Sequence, residues 1–241
     1  MVPTYNEIDN LAVILGRIRQ SLPHADVLIV DDSSPDGTGA LADSLAAPDP
    51  GVSVMHRTAK TGLGRAYLDG FALGLERGYE FFVEIDADGS HDPADLPRML
   101  ELAIGGADLV LGSRWVLGGS VRNWPWLRRT ISRGGNSYAR AVLGSRVRDL
   151  TSGFRVIRAT ALRSLDLSSV ASQGYCFQVE LAWRLEQAGF TVVEHPIVFS
   201  ERTVGQSKMH LGIVLEALGR VTLWGLRRRF GRRTAPSRVG A

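Results

Sequence analysis

Residues 81–92 read Phe-Phe-Val-Glu-Ile-Asp-Ala-Asp-Gly-Ser-His-Asp. Phe81, Phe82, Val83 and Ile85 make a short apolar run of the kind that forms a buried strand. Asp86 and Asp88 close it, separated only by Ala87. In an open α/β sheet, ligands bind outside the carboxyl ends of the strands. Two carboxylates crowded there repel each other unless a cation sits between them. Hard oxygen donors at this spacing suit Mg²⁺ or Mn²⁺ holding phosphate oxygens. Alone, the stretch reads better as an Asp-rich turn closing a strand, so its neighbours decide.

Working outward, the same strand-then-acid pattern recurs. Val27-Leu28-Ile29-Val30 runs into Asp31-Asp32, residues 52–55 end near His56-Arg57, and residues 109–111 end at Gly112-Ser113-Arg114. Helical patterns lie between them at about 6–20, 37–46, 62–77 and 93–104, with Asn6 and Glu7 placed to open the first and Pro93 early in the fourth. Strands alternating with helices imply right-handed crossovers and an α/β fold with a mostly parallel central sheet flanked by helices. Only Met1 and Val2 precede Pro3, so the first strand is expected to be very short or truncated.

Beyond residue 114 the pattern changes. Residues 115–127 read as a Gly/Trp/Pro loop, 128–143 as a helix, 149–158 as an extended segment, 175–188 as a helix and 190–200 as a strand. A polar segment, 201–208, precedes an amphipathic helix at 209–226 and a basic tail at 227–241. The expected organisation is one domain over 1–208, then the amphipathic helix, then a disordered tail.

Composition narrows the function classes. The single cysteine, Cys176, excludes an intrachain disulfide framework and fits a reducing compartment and the core. The start, MVPTYNE, has no signal-peptide pattern, and the apolar stretch nearest to a membrane span is broken by His210, Glu216 and Arg220. Net charge is +3, but six arginines and no acid lie in 227–241, which leaves 22 basic against 25 acidic residues in the body. The basic balance therefore points away from nucleic acid and toward an anionic membrane surface met by the tail. With only Lys60 and Lys208 as lysines, arginine richness by itself carries little.

Two further acidic strand ends accompany Asp86 and Asp88. Val30-Asp31-Asp32-Ser33-Ser34-Pro35-Asp36-Gly37-Thr38 offers a carboxylate to a base or ribose, with Ser34 and Asp36 as turn caps. Pro3-Thr4-Tyr5-Asn6-Glu7 follows the first strand, and parallel strands bring all three ends to one rim. Gln178 and Glu180 stand two apart on a helix, so at most one faces a ligand. The five histidines show no metal-ligand spacing, and His91 reads as a turn residue.

Together these motifs resemble the family 2 glycosyltransferases with the GT-A (Rossmann-like) fold, nearest to the polyprenyl- (dolichyl-) phosphate mannose synthases. The resemblance covers nearly the whole chain. It implies a nucleotide-sugar pocket formed by Pro3, Tyr5, Glu7, Val30, Asp32, Lys60, Gly64, Asp86, Ala87 and Gln178. It implies a metal motif of Asp86 and Asp88 with Ser90 as an extra ligand, and an acceptor-phosphate site of Ser113, Arg114, Arg133, Arg155, Arg202 and Lys208. Asp88, Arg114, Arg202 and Lys208 would carry the catalysis. The implied reaction is inverting transfer of mannose from GDP-mannose to a polyprenyl monophosphate, by a peripheral enzyme on the cytoplasmic side of the membrane. The commoner members' paired C-terminal transmembrane helices are missing, which leaves room for a separate membrane-anchoring subunit. Two alternatives stay open: glucose transfer from UDP-glucose to the same lipid, and a haloacid-dehalogenase-type phosphohydrolase with Asp86 as covalent nucleophile.

Overall fold

The computed structural model describes residues 1–167, 170, 175–201 and 211–230. Among these, the order is β1 (Val2–Thr4), α1 (Leu11–Ser21), β2 (Val27–Asp31), α2 (Thr38–Ala46), β3 (Val52–His56), α3 (Leu63–Glu76) and β4 (Phe81–Glu84). A 3-10 turn at Pro93–Asp95 leads into α4 (Leu96–Ile104) and β5 (Leu109–Ser113). There follow β6 (Ser120–Arg122), α5 (Trp126–Leu143), β7 (Arg155–Arg158), α6 (Ala159–Arg163), α7 (Tyr175–Gln187), β8 (Val192–Pro196), β9 (Val198–Ser200) and α8 (Leu211–Phe230).

β1, β2 and β3 pair in parallel. In a second ladder β7 runs antiparallel to both β4 and β5, and β5 pairs with β8 in parallel. The Met1 ammonium donates to the Val83 carbonyl at 2.8 Å, and the Ile85 N–H donates to the Met1 carbonyl at 3.3 Å. These bonds join the ladders into the succession β3-β2-β1-β4-β7-β5-β8. The α/β fold with a mostly parallel sheet is therefore present, with β7 as its antiparallel member. The core lies on both faces: Leu11, Ile14, Ile29 and Met99 on one, Phe71, Leu143, Phe177 and Leu185 on the other.

β1 is as short as its sequence predicts. Pro3 withholds one ladder donor, and the strand ends where the Thr4 hydroxyl donates to Asp31 at 3.1 Å. The first helix opens later than expected. Asn6 takes a left-handed φ of 58°, and the N–H groups of Asn6, Glu7 and Ile8 donate to Ser34, Thr38 and Asp36. Those donors are spent on the loop after β2, so residues 6–10 form a turn and α1 begins at Leu11. The loop expected at 115–127 contains β6, which pairs with β9.

α3 sits unusually close to β4. A Cβ at Gly74 would lie 2.3 Å from Phe82, so only glycine fits there despite its helix cost. α8 packs on α5 and α7: Val221 is buried, Trp224 stacks on Trp183 at 6.0 Å, and Tyr138 and Thr222 share a 2.6 Å hydrogen bond. The helix runs on to Phe230, so Arg227, Arg228 and Arg229 belong to it. Arg228 donates to the Leu143 carbonyl at 2.6 Å, which satisfies an acceptor at the end of α5. Residues 231–241 of the expected tail lie outside the described residues. Among the described residues, no helix is long and apolar enough to cross a membrane.

Candidate active site

β1, β2, β4 and β5 point the same way, so their carboxyl ends share one rim. That rim gathers Tyr5 and Glu7, Asp31 and Asp32, Asp86 and Asp88, and Ser113 and Arg114. Because β7 is antiparallel, the loop that leads into it, residues 149–153, reaches the same rim.

Around β1 and β2, the Asp32 carboxylate accepts from Arg57 at 2.6 Å and from the N–H groups of Thr61 and Gly62 at 3.2 and 3.0 Å. Asp32 thus ties down the segment that carries Lys60, whose ammonium lies 3.7 Å from the Tyr5 ring centre. Pro3, Tyr5 and Glu7 are half-buried, and Val30 and Gly64 are buried. Asp36 accepts from Thr38 at its N–H and hydroxyl; burial opposes ionisation, but these bonds hold its carboxyl below the usual range.

A cavity of about 150 Å³ opens beside β4. Asp86, Asp88, His91, Arg114 and Arg128 line its polar end, and Ile131, Ala139, Val179, Leu218 and Val221 line the wall between α5 and α8. Asp88 and Ala87 are buried and Asp86 is half-buried. The Ser90 N–H donates to Asp88 at 3.0 Å, so Ser90 braces this turn. His91 lies in the turn but is not exposed: its ring stacks on Phe154 at 5.1 Å and meets Phe199 edge-on at 5.0 Å. Burial lowers its pKa to about 4, against the pull of Asp88, so the ring is neutral at pH 7.

Arg114 is fixed rather than mobile. Its Nε and Nη2 form a fork on Asp149 at 2.7 and 2.6 Å, its N–H donates to the same carboxylate at 2.9 Å, and Nη2 reaches Thr151 at 2.9 Å. Trp115, Trp124 and Phe199 surround the guanidinium at 5.7, 5.6 and 5.3 Å. Ser113 is fully buried, its Oγ accepting from the Trp115 N–H at 3.4 Å.

Arg128 belongs to none of the sequence motifs. It stacks on Trp124 at 4.2 Å, pairs with Glu201 at 2.6 Å and lines the cavity. The signal was there: Arg128, Ser132, Gly135, Asn136 and Ala139 recur at helical spacing on one face of α5, the face that lines the cavity. Arg133 stands off that face, exposed over the Trp115 ring at 4.8 Å, because it is one residue out of the stripe.

Arg155 requires a correction. It was expected at the acceptor phosphate, but it is fully buried on β7 and faces Glu84 at 3.8 Å. Burial pushes the Glu84 carboxyl up to about 7, with Arg155 opposing. Gln178 is buried and its amide helps to hold down the Glu84 carboxyl; a Cβ built on Gly153 would lie 3.6 Å from Asp86 Oδ2 and 3.8 Å from Gln178 Nε2. Glu180 turns instead to Arg184. Of that helical pair, Gln178 is the one that adjoins Gly153. Arg202 and Lys208 lie outside the described residues.

Among the described residues no group of three or more His, Cys, Asp or Glu side chains could hold a metal by itself. Asp86 and Asp88 supply two hard oxygen donors beside an open cavity. That set fits a divalent cation whose remaining positions are filled by water and a substrate's phosphate oxygens.

The glycosyl transferase family 2 profile matches residues 1–166. The chain belongs to glycosyl transferase family 2. As a family 2 glycosyltransferase it has three parallel strands before or beside the Asp86 strand, and the phosphohydrolase alternative falls. The polyprenol monophosphomannose synthase of Mycolicibacterium smegmatis is 54% identical over 96% of this chain and 88% of its own. The undecaprenyl-phosphate mannosyltransferase of Micrococcus luteus is 54% identical over 95% of this chain and 94% of its own. A solved structure of Mycobacterium tuberculosis glucosyl-3-phosphoglycerate synthase, bound to Mn²⁺ and UDP-glucose, superposes with a TM-score of 0.65. It covers 95% of this chain and 77% of its own, and at 19% identity the likeness is one of fold.

Proposed function

We propose that this glycosyltransferase moves mannose from GDP-mannose to a polyprenyl monophosphate, inverting the anomeric carbon. The observation that carries the reading is the cavity itself. Its polar end sets two carboxylates against two arginines, and its far wall is apolar, which suits an acceptor with an anionic head and a hydrocarbon tail. The names of the two relatives, each matched over most of its length, support the same substrate class.

The reaction needs a nucleophile and charge neutralisation. A phosphate monoester has its second pKa near about 6, so its oxygen is already ionised at neutral pH and attacks without a protein base. Among the described residues of the cavity, Asp86 and Asp88 would be engaged by the cation, and the His91 ring is buried between two phenyl rings with its pKa held down to about 4. The protein's task is electrostatic. Arg114, locked by Asp149, and Arg128, braced on Trp124, hold the acceptor phosphate near the sugar, with Arg202 and Lys208 as further candidates. Tyr5, Lys60, Asp32 and Gln178 bind the nucleotide-sugar side. Asp86 and Asp88 would hold Mg²⁺ or Mn²⁺, which supplies Lewis-acid stabilisation of the leaving diphosphate.

Residues 1–208 act as the catalytic unit, and α8 with the basic tail meets an anionic membrane surface from the cytoplasmic side. Leu223 and Leu226 on α8, and Trp126, Leu127 and Ile131 at the start of α5, are exposed apolar groups beside arginines, as an interfacial surface requires. Purified enzyme, incubated with undecaprenyl monophosphate and labelled GDP-mannose or UDP-glucose, tests the donor. Lipid-linked mannose from GDP-mannose is expected; lipid-linked glucose alone would replace the donor assignment.

A further inference from the structure

Arg155 is the largest of the fully buried side chains and the mechanism above does not use it. A buried ion pair is weak support for stability, because apolar residues of similar volume often do as well. Its value has to lie in what it holds in place. Arg155 Nε donates to the Ser152 carbonyl at 2.7 Å and Nη2 to the Leu150 carbonyl at 2.9 Å. One guanidinium thus spans the loop that precedes its own strand.

That loop has two jobs at the rim. Asp149 carries the fork on Arg114, and at Gly153 an added Cβ would meet Asp86 and Gln178. β7 lies between the strands that end at these two groups: Arg155 is the cross-strand partner of Glu84 on β4 and of Leu111 on β5. We propose that Arg155 is a positioning residue that fixes the 149–153 loop, and through it sets Arg114 relative to Asp86. A planar fork suits this, since it holds two carbonyls at once, whereas a lysine ammonium on a flexible stem holds a point. The kinetic part of the test rests on the polyprenyl-phosphate reading; the structural part does not.

The experiment compares wild type with the double variant Glu84→Gln/Arg155→Met, which removes both buried charges, and with Arg155→Lys, which keeps a partner for Glu84. Melting, amide exchange at residues 151–154, binding of GDP with Mn²⁺, and the kcat and KM for undecaprenyl monophosphate are measured. The expected result is melting close to wild type, with amides 151–154 exchanging about tenfold or more faster. The acceptor kcat/KM falls about tenfold or more in both variants, because small misplacements of binding groups are costly. GDP·Mn²⁺ binding falls less than the acceptor kcat/KM, because Tyr5, Asp32 and Lys60 lie on other strand ends, although Asp86 adjoins the loop. Wild-type exchange and acceptor kinetics in the double variant would overturn the proposal, since Arg155 would then only balance Glu84. Arg155→Lys decides the matter if the double variant does not fold. If wild type transfers no sugar to a polyprenyl phosphate, the functional reading fails and the exchange at 151–154 alone decides the role of Arg155.

Discussion

Arg128 and Arg155 show how differently two arginines of one chain are used. Arg128 lies on the cavity face of α5, held over Trp124, and its loss should be felt by the acceptor. Arg128→Ala is expected to raise the KM for polyprenyl monophosphate about tenfold or more, the scale of one lost charged hydrogen bond, with the donor KM unchanged. Steady-state kinetics with each substrate varied in turn checks this. His91 gives a pH prediction. Its pKa falls from 6.5 unfolded to about 4 folded. Above pH 6.5 the ring is neutral in both states and costs nothing. As pH falls from 6.5 to 4 the unfolded chain binds the proton first, so stability drops by up to about 3 kcal/mol. Thermal melts from pH 7 to 4 should show the drop in wild type and a shallower one in His91→Phe, which keeps the stack on Phe154. At this scale Asp86 and Asp88 were legible, because two acids after an apolar strand need a reason. The burial of Arg155 was not: an arginine after Gly153-Phe154 reads the same whether it faces solvent or the core.

Among the elements, the parallel strands and most helices follow from apolar runs closed by Asp, Ser or Gly. The failures have local causes. Residues 6–10 look like the opening of a helix, but the N–H groups of Asn6, Glu7 and Ile8 bond to side chains at 34–38, a contact no local pattern reveals. β6 was missed because three residues in a Gly/Trp/Pro stretch pair with β9, far along the chain. α3 yields a prediction against helix propensity. Gly74→Ala gains propensity but drives a methyl into Phe82, and should destabilise by about 1–3 kcal/mol in urea titration. α7 yields a chemical one. Cys176 is buried, and desolvation pushes its thiol up to about 11. At pH 8 it should resist an aromatic disulfide reagent in native protein and react fully in denaturant.

For the molecule as a whole, the cavity joins a charged rim to an apolar wall of α5 and α8, and the exposed leucines of α8 lie beside its arginines. Sequence periodicity marked α8 as amphipathic, but only the packing on Trp183 and Tyr138 shows that one stripe is spent inside the protein. Liposome flotation should show binding to anionic vesicles that weakens when the chain is truncated after Leu226, with the fold retained; unchanged binding would exclude a role for the arginines beyond it. The central claim is that the cavity serves a nucleophile that arrives ionised. It is tested most directly by offering the purified enzyme GDP-mannose with undecaprenyl monophosphate or with free undecaprenol, across pH 5 to 8. The account predicts product from the phosphate only, at a rate that falls as the phosphate takes up its proton below about pH 6. Comparable transfer to the free alcohol would require a protein base and would contradict it.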